Sequence, residues 1–239
     1  MIELPKKSIA PERVNPKKIL IYSKPKAGKT SIVAQLPKCL LLDFENGSDF
    51  VSGLKLKVNS LQELKEIGDA IKANNYPYEY GALDTITALE DMVLPYAAKL
   101  YSDTPMGKNW IGNDVRQLPQ GSGYLYLRQA FFNILNEVNT WFPNLILLAH
   151  LKEKLIEKKG EEVAALDLDL TGKIRSIVTA SVDAIAYLYR KENQTILNFN
   201  TSEEVICGAR SPHLRNREIV IAESNANDNI KTYWDKVYV

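Results

Sequence analysis

KILIYSKPKAGKTSIVAQL, residues 18–36, decides the fold. A short apolar run is followed by a lysine-rich turn and a second apolar stretch with helical spacing, so the segment reads strand, loop, helix. The turn Ser23, Lys24, Pro25, Lys26, Ala27, Gly28, Lys29, Thr30 follows the phosphate-binding pattern G-x-x-x-x-G-K-[ST] except at its first position, where serine replaces glycine. In such a turn, backbone N–H groups of the loop and of the helix start, through Ser31, cradle phosphate oxygens. Gly28 permits close approach, Lys29 sets a cation on the outer phosphates, and Thr30 offers its hydroxyl to Mg2+. Ser23 is small enough for the loop entrance, provided that the backbone there needs no positive φ. A lysine-rich turn with no ligand is the bland alternative, and the placement between a buried strand and a helix argues against it.

Working outward, KCLLLDF (38–44) is a second buried strand, and SLQELKEIGDAIKANN (60–75) spaces Leu61, Leu64, Ile67 and Ile71 along one helix face. YEYGALD (78–84) is a third strand; residues 86–101 are helical, with Pro95 kinking the helix or joining two shorter ones. Residues 102–123 carry Pro, Gly and Asn without a period and form a long loop. A helix then leads to the strand NLILLAH (144–150), and LKEKLIEKKGEEVAAL alternates around Lys159 and Gly160 like a projecting hairpin. After the short helix TGKIRSIVTASV, the stretches DAIAYLYRK, QTILNFN, EEVICGA and REIVIA read as successive strands. The expected fold class is α/β: a mainly parallel central sheet flanked by helices, with an antiparallel C-terminal extension. Residues 1–17 are expected to form an arm, and residues 18–239 one domain. In such sheets ligands bind beyond the carboxyl ends of the strands.

That rule selects the remaining candidates. Asp84 ends an apolar strand in GALD, where a carboxylate can hold Mg2+ with Thr30. LLLDFENG offers Asp43 and Glu45 to orient or deprotonate an attacking water, and Glu45, further into the crevice, is preferred. His150 ends the fourth strand and could sense a γ-phosphate.

The 239 residues are 45% apolar and 25% charged with a net charge of +1, the usage of an ordinary globular chain. Cys39 and Cys207, the two cysteines, lie in strand-like runs and read as buried thiols. No apolar run nears the roughly 20 residues of a membrane span. The amino terminus lacks the apolar stretch of a signal peptide, so the expected location is the cytoplasm, that of a bacterial host if a phage encodes the chain.

At these residues the sequence resembles the RecA-like P-loop ATPases. Within them it is similar to core-only, phage-encoded single-strand annealing or recombination proteins, close to a broad phage AAA-type family. The resemblance rests on residues 18–47, GALDTITAL, LILLAHLKEK and LDLTGKIRSIVTASVDAIAYL, and so spans roughly residues 18–190. It implies ATP and Mg2+ as ligands, Glu45 as the water-activating residue, Asp84 on the metal, and His150 as a sensor leading into a DNA-binding loop. It also implies a homo-oligomer, ring or filament, on single-stranded DNA, with a single-strand binding protein or another replication or recombination protein as a further partner. Two loops would face the DNA: residues 102–128 with Lys108, Trp110, Arg116, Tyr124, Tyr126 and Arg128, and residues 151–163 with Lys152, Lys154, Lys158 and Lys159. An arginine acting across subunits is implied as well, Arg210 before Arg175, Arg215 and Arg217. Separate flanking domains and the first loop glycine are missing from the pattern. Two other readings stay open: an ATPase that acts on a protein partner, such as a helicase loader or motor, and a nucleotide-binding module without turnover.

Overall fold

A computed structural model describes residues 4, 6–158, 161–225 and 229–239. In chain order, β1 (Lys18–Ser23), α1 (Lys29–Ala34), β2 (Cys39–Asp43), β3 (Lys55–Lys57), α2 (Leu61–Ala73) and β4 (Tyr80–Asp84) alternate. They are followed by α3 (Ile86–Met92), α4 (Leu94–Ser102), α5 (Gly123–Val138) and β5 (Asn144–Lys158). Beyond them lie β6 (Glu161–Leu168), α6 (Gly172–Ser181), β7 (Ala184–Lys191), β8 (Gln194–Asn198), β9 (Gly208–Ala209), β10 (Glu218–Ser224) and β11 (Ile230–Thr232).

The sheet runs β11-β10-β8-β7-β1-β5-β4-β2-β3, parallel from β7 to β3 and antiparallel from β7 to β11. This is the mainly parallel sheet with an antiparallel extension that the sequence predicts. β1, β2 and the first half of β5 are buried on both faces, which is why they read as unbroken apolar runs rather than alternating ones. β4 contains Gly81 because the Phe142 ring lies against it; a Cβ there would come within 2.2 Å of that ring. The edge strand β3 escapes sequence reading, since KLK is short and two of its three residues are charged, as suits an exposed edge.

Helices cover the two faces unequally. α2 to α6 pack on one face through Leu64, Ile71, Leu89, Ala97, Phe131, Leu135 and Val178. The other face is covered by α1 together with Leu214, Trp234 and Val237. Pro95 falls in the first turn of α4 and separates it from α3, so the apolar stretch 86–101 forms two helices. EEVICGA, expected as a strand, contributes only β9 and one bridge from Val205 to Leu166. Local bonds hold the rest as a loop: the Cys207 thiol donates to the Asn200 carbonyl (2.7 Å), and the Thr201 hydroxyl donates to the Cys207 carbonyl.

At six residues, α1 is too short to persist alone. Its last turn is completed from the far end of the chain, where the buried Trp234 indole N–H donates to the Ile32 carbonyl at 2.8 Å. Trp234→Ala would open a cavity under α1 and leave that carbonyl unpaired. A destabilisation of about 3–5 kcal/mol is expected, read as a lower urea midpoint, together with weaker nucleotide binding.

Candidate functional site

Strand register builds the site. Ser23 lies beside His150, Leu148 beside Asp84, and Asp84 beside Asp43, so the carboxyl ends of β1, β5, β4 and β2 form one row. The phosphate-binding turn leaves β1 at Ser23, which is buried and ends the strand outside the left-handed region. The two left-handed positions fall later, at Lys26 (φ 62°) and Gly28 (φ 104°). Serine at the first motif position is therefore unstrained, whereas a side chain at Gly28 would meet open space but an unfavourable backbone. The Ser23 hydroxyl donates to the Lys24 carbonyl (2.8 Å) and accepts from the Lys29 ammonium (3.0 Å). Lys29 is 6% exposed. Burial lowers its pKa below the usual lysine range, against the opposing pull of Asp84 and Glu45.

Thr30 follows, and its hydroxyl donates to Asp84 Oδ2 at 2.6 Å. Two hard oxygen donors thus meet beside the turn, a set that fits Mg2+, which takes one or two protein oxygens and fills its shell with water and substrate phosphate. Among the described residues no cluster of three or more His, Cys, Asp or Glu could hold a metal without such help. Burial pushes Asp84 up to about 6, and Glu45 and Asp43 add to this while Thr30 and Lys29 oppose it. Since its folded-state pKa stands above the unfolded one, the contribution of Asp84 to stability is greatest near pH 4 and is lost as pH rises through 6. Asp84→Asn lacks this ionisation. The metal-free variant should exceed the parent protein in stability by about 1–3 kcal/mol at pH 8 and by about half as much at pH 5, as measured by urea unfolding at both values.

The two carboxylates at the end of β2 divide their tasks. Asp43, 1% exposed, accepts the backbone N–H groups of Glu45, Gly47 and Ser48 (3.0, 3.3 and 2.9 Å) and so shapes the loop. Burial pushes Asp43 up, but those donors outweigh it and hold its pKa below the ordinary carboxylate value. Glu45 points into the crevice with one third of its side chain exposed. Its Oε1 accepts from His150 Nε2 (2.6 Å) and from the Thr85 hydroxyl. Burial pushes Glu45 up as well, and the His150 and Thr85 bonds overcome this and keep it below the usual range. His150 is fixed at its backbone, where its N–H donates to the Thr87 hydroxyl (3.1 Å). The structure thus brings together Ser23, Lys29, Thr30, Glu45, Asp84 and His150. Thr85, the residue missed by sequence reading, also caps α3 by accepting from the Ala88 N–H; a threonine directly before the apolar run ITAL was the available signal.

The residues expected to meet DNA are dispersed. Lys154 and Arg175 both pair with the buried Asp167 (2.9 and 2.6 Å), and Lys152 lies 3.8 Å from Asp169. Arg116 pairs with Asp91 and Asp114. Arg116, Lys152, Lys154 and Arg175, with Asp91, Asp167 and Asp169, line one polar cavity of about 550 Å³. Trp110 packs edge-on against Tyr101, Lys108 is exposed, and Arg128 lines a different cavity. The Lys158 side chain and Lys159 lie outside the described residues. In the phosphate-binding turn Lys24 reaches the hairpin, pairing with Glu153 at 2.8 Å. Arg210 sits beside Asp183, whose carboxylate accepts the Lys17 and Lys18 N–H groups at the start of β1, the end of the strand opposite the phosphate turn. Six residues of strand span about 20 Å, so within its own chain Arg210 does not reach the site. Arg215 bonds the Arg210 carbonyl, and Arg217 is exposed.

A family model described as an AAA domain matches residues 15–211. No curated protein matches the chain. Among solved structures, the KaiC-like protein PH0186 from the hyperthermophilic archaeon Pyrococcus horikoshii OT3 is similar at 11% identity and a TM-score of 0.49, covering 91% of this chain and 89% of that one. The RadB recombinase is similar at 10% identity and a TM-score of 0.47, covering 92% of each chain.

Proposed function

The chain belongs to the AAA domain family, and from that premise we propose that it binds ATP with Mg2+ and hydrolyses it. The observation that carries this reading is Glu45, a carboxylate held ionised between His150 and Thr85 beside a buried lysine and a threonine–aspartate pair. On nucleotide binding, Lys29 exchanges its bond to Ser23 for phosphate oxygens, and the N–H groups from Lys26 to Ser31 accommodate the remaining charge. Thr30 and Asp84 would hold the Mg2+, whose chemistry is to neutralise charge on the transferred phosphoryl group. Glu45 orients the attacking water and takes up its proton; Thr85 and His150 fix the carboxylate while it does so. Phosphate release that requires Mg2+ and follows ATP saturation is the expected result. Nucleotide binding with no release would favour the module without turnover.

Single-stranded DNA is the proposed effector, acting on an oligomer. The supporting observation is the continuity of β5, which carries His150 in the sheet and then runs on into the hairpin with Lys152 and Lys154. A polyanion on the hairpin would compete with Asp167 and Asp169 for those lysines and displace the strand that holds His150 against Glu45. ATP turnover should then rise with oligothymidylate and lose that rise as salt increases. Turnover indifferent to DNA but raised by a protein would move the assignment to a loader or motor.

A further inference from the structure

A cavity of about 730 Å³ lies where α4, α5 and α6 meet, beside the polar cavity and outside the nucleotide site. Its chemistry is unlike that of its neighbour. The polar cavity balances Arg116, Lys152, Lys154 and Arg175 with four carboxylates. This one is lined by Met106, Tyr124, Leu125 and Ile174, with Arg128 and Lys173 as its cations and no carboxylate. Among the described residues, neither Arg128 nor Lys173 has an ion-pair or side-chain hydrogen-bond partner. Met106 is 86% exposed, Leu125 52% and Tyr124 43%, a cluster of uncovered apolar side chains on the rim.

Among macromolecules, a polynucleotide and an acidic peptide carry both apolar and anionic groups. A polynucleotide needs a stripe of cations along its backbone and open aromatic faces for its bases. The cavity supplies two cations and no stripe of them, and of its three tyrosines Tyr101 and Tyr126 pack edge to face on each other (5.2 Å), which leaves Tyr124 as the single open ring among the described residues. Aliphatic and thioether walls in a concave site suit an inserted leucine or phenylalanine side chain, with methionine adapting to its shape. We infer that this cavity docks a short acidic segment of a partner protein, its apolar side chain buried among Met106, Leu125 and Ile174 and its carboxylates on Arg128 and Lys173. The inference stands independently of ATP hydrolysis and of DNA on the hairpin.

The test is fluorescence anisotropy on the full chain with a labelled peptide Asp-Glu-Asp-Glu-Leu-Phe. Controls are a lysine-for-acid peptide, an alanine-for-Leu-Phe peptide and oligothymidylate of about 20 nucleotides. The acidic apolar peptide should bind at least about tenfold more tightly than either control peptide. Its binding should weaken about tenfold in the double variant Arg128→Glu, Lys173→Glu and, separately, in Leu125→Asp. Thermal melts matching the parent protein establish that both variants fold, and either one suffices if the other does not. Oligothymidylate binding should be the same in Leu125→Asp and in the parent protein. Equal affinity for all three peptides overturns the inference, as does insensitivity to the substitutions. Loss of oligothymidylate binding in Leu125→Asp also overturns it and gives the cavity to nucleic acid. If oligothymidylate binds none of the proteins, the DNA proposal fails and the docking site stands on the peptide result.

Discussion

Glu45→Gln should lower ATP hydrolysis by about a hundredfold or more while leaving ATP affinity within about threefold of the parent protein. The carboxamide keeps an oxygen that can accept from Thr85 and His150, so the loop set by Asp43 has no reason to move. What it loses is negative charge and the capacity to take a proton from water. The loss should therefore fall on kcat and spare KM. Loss in KM alone would make Glu45 a residue that only shapes the pocket. Because its bonds hold Glu45 below the usual carboxylate range, the charge is present across neutral pH, and the activity ascribed to it should decline only as pH falls below that ordinary range.

Lys29→Ala should weaken ATP binding by about a hundredfold or more, since it removes charge-assisted hydrogen bonds to the phosphates in a buried position. Lys24 and Lys26 are exposed, and Lys24 is occupied by Glu153. Neither can substitute for an ammonium that enters beneath the turn. Calorimetric titration with ATP and Mg2+ reads the effect, and a melting temperature close to that of the parent protein separates it from unfolding. Affinity retained within about threefold would mean that the turn does not grip the triphosphate.

The parts of the site that depend on chain-local chemistry were legible in the sequence. The turn at 23–30 sits where a strand passes into a helix, and Asp84, Glu45 and His150 each close an apolar run, so the parallel sheet was bound to bring them to one edge. Serine at position 23 fits the loop entrance on the condition that no positive φ is needed there, and the structure meets it by placing the left-handed positions at Lys26 and Gly28. Contacts between distant segments were not legible. Nothing in the local pattern says that Trp234 completes α1 or that Asp167 engages both Lys154 and Arg175. Lys152 and Lys154 meet Asp169 and Asp167 through the hairpin register, which the local pattern does not specify. EEVICGA carried strand propensity, but hydrogen bonds within its own loop outweighed pairing with a neighbour.

Single-turnover phosphate release tests the central claim most directly, with Mg2+, protein in excess over radiolabelled ATP, and the parent protein run beside Glu45→Gln. The parent protein is predicted to convert its bound ATP to ADP and phosphate, while the variant holds ATP intact over the same interval. Equal release from both, or none from the parent protein with ATP bound, would contradict the account.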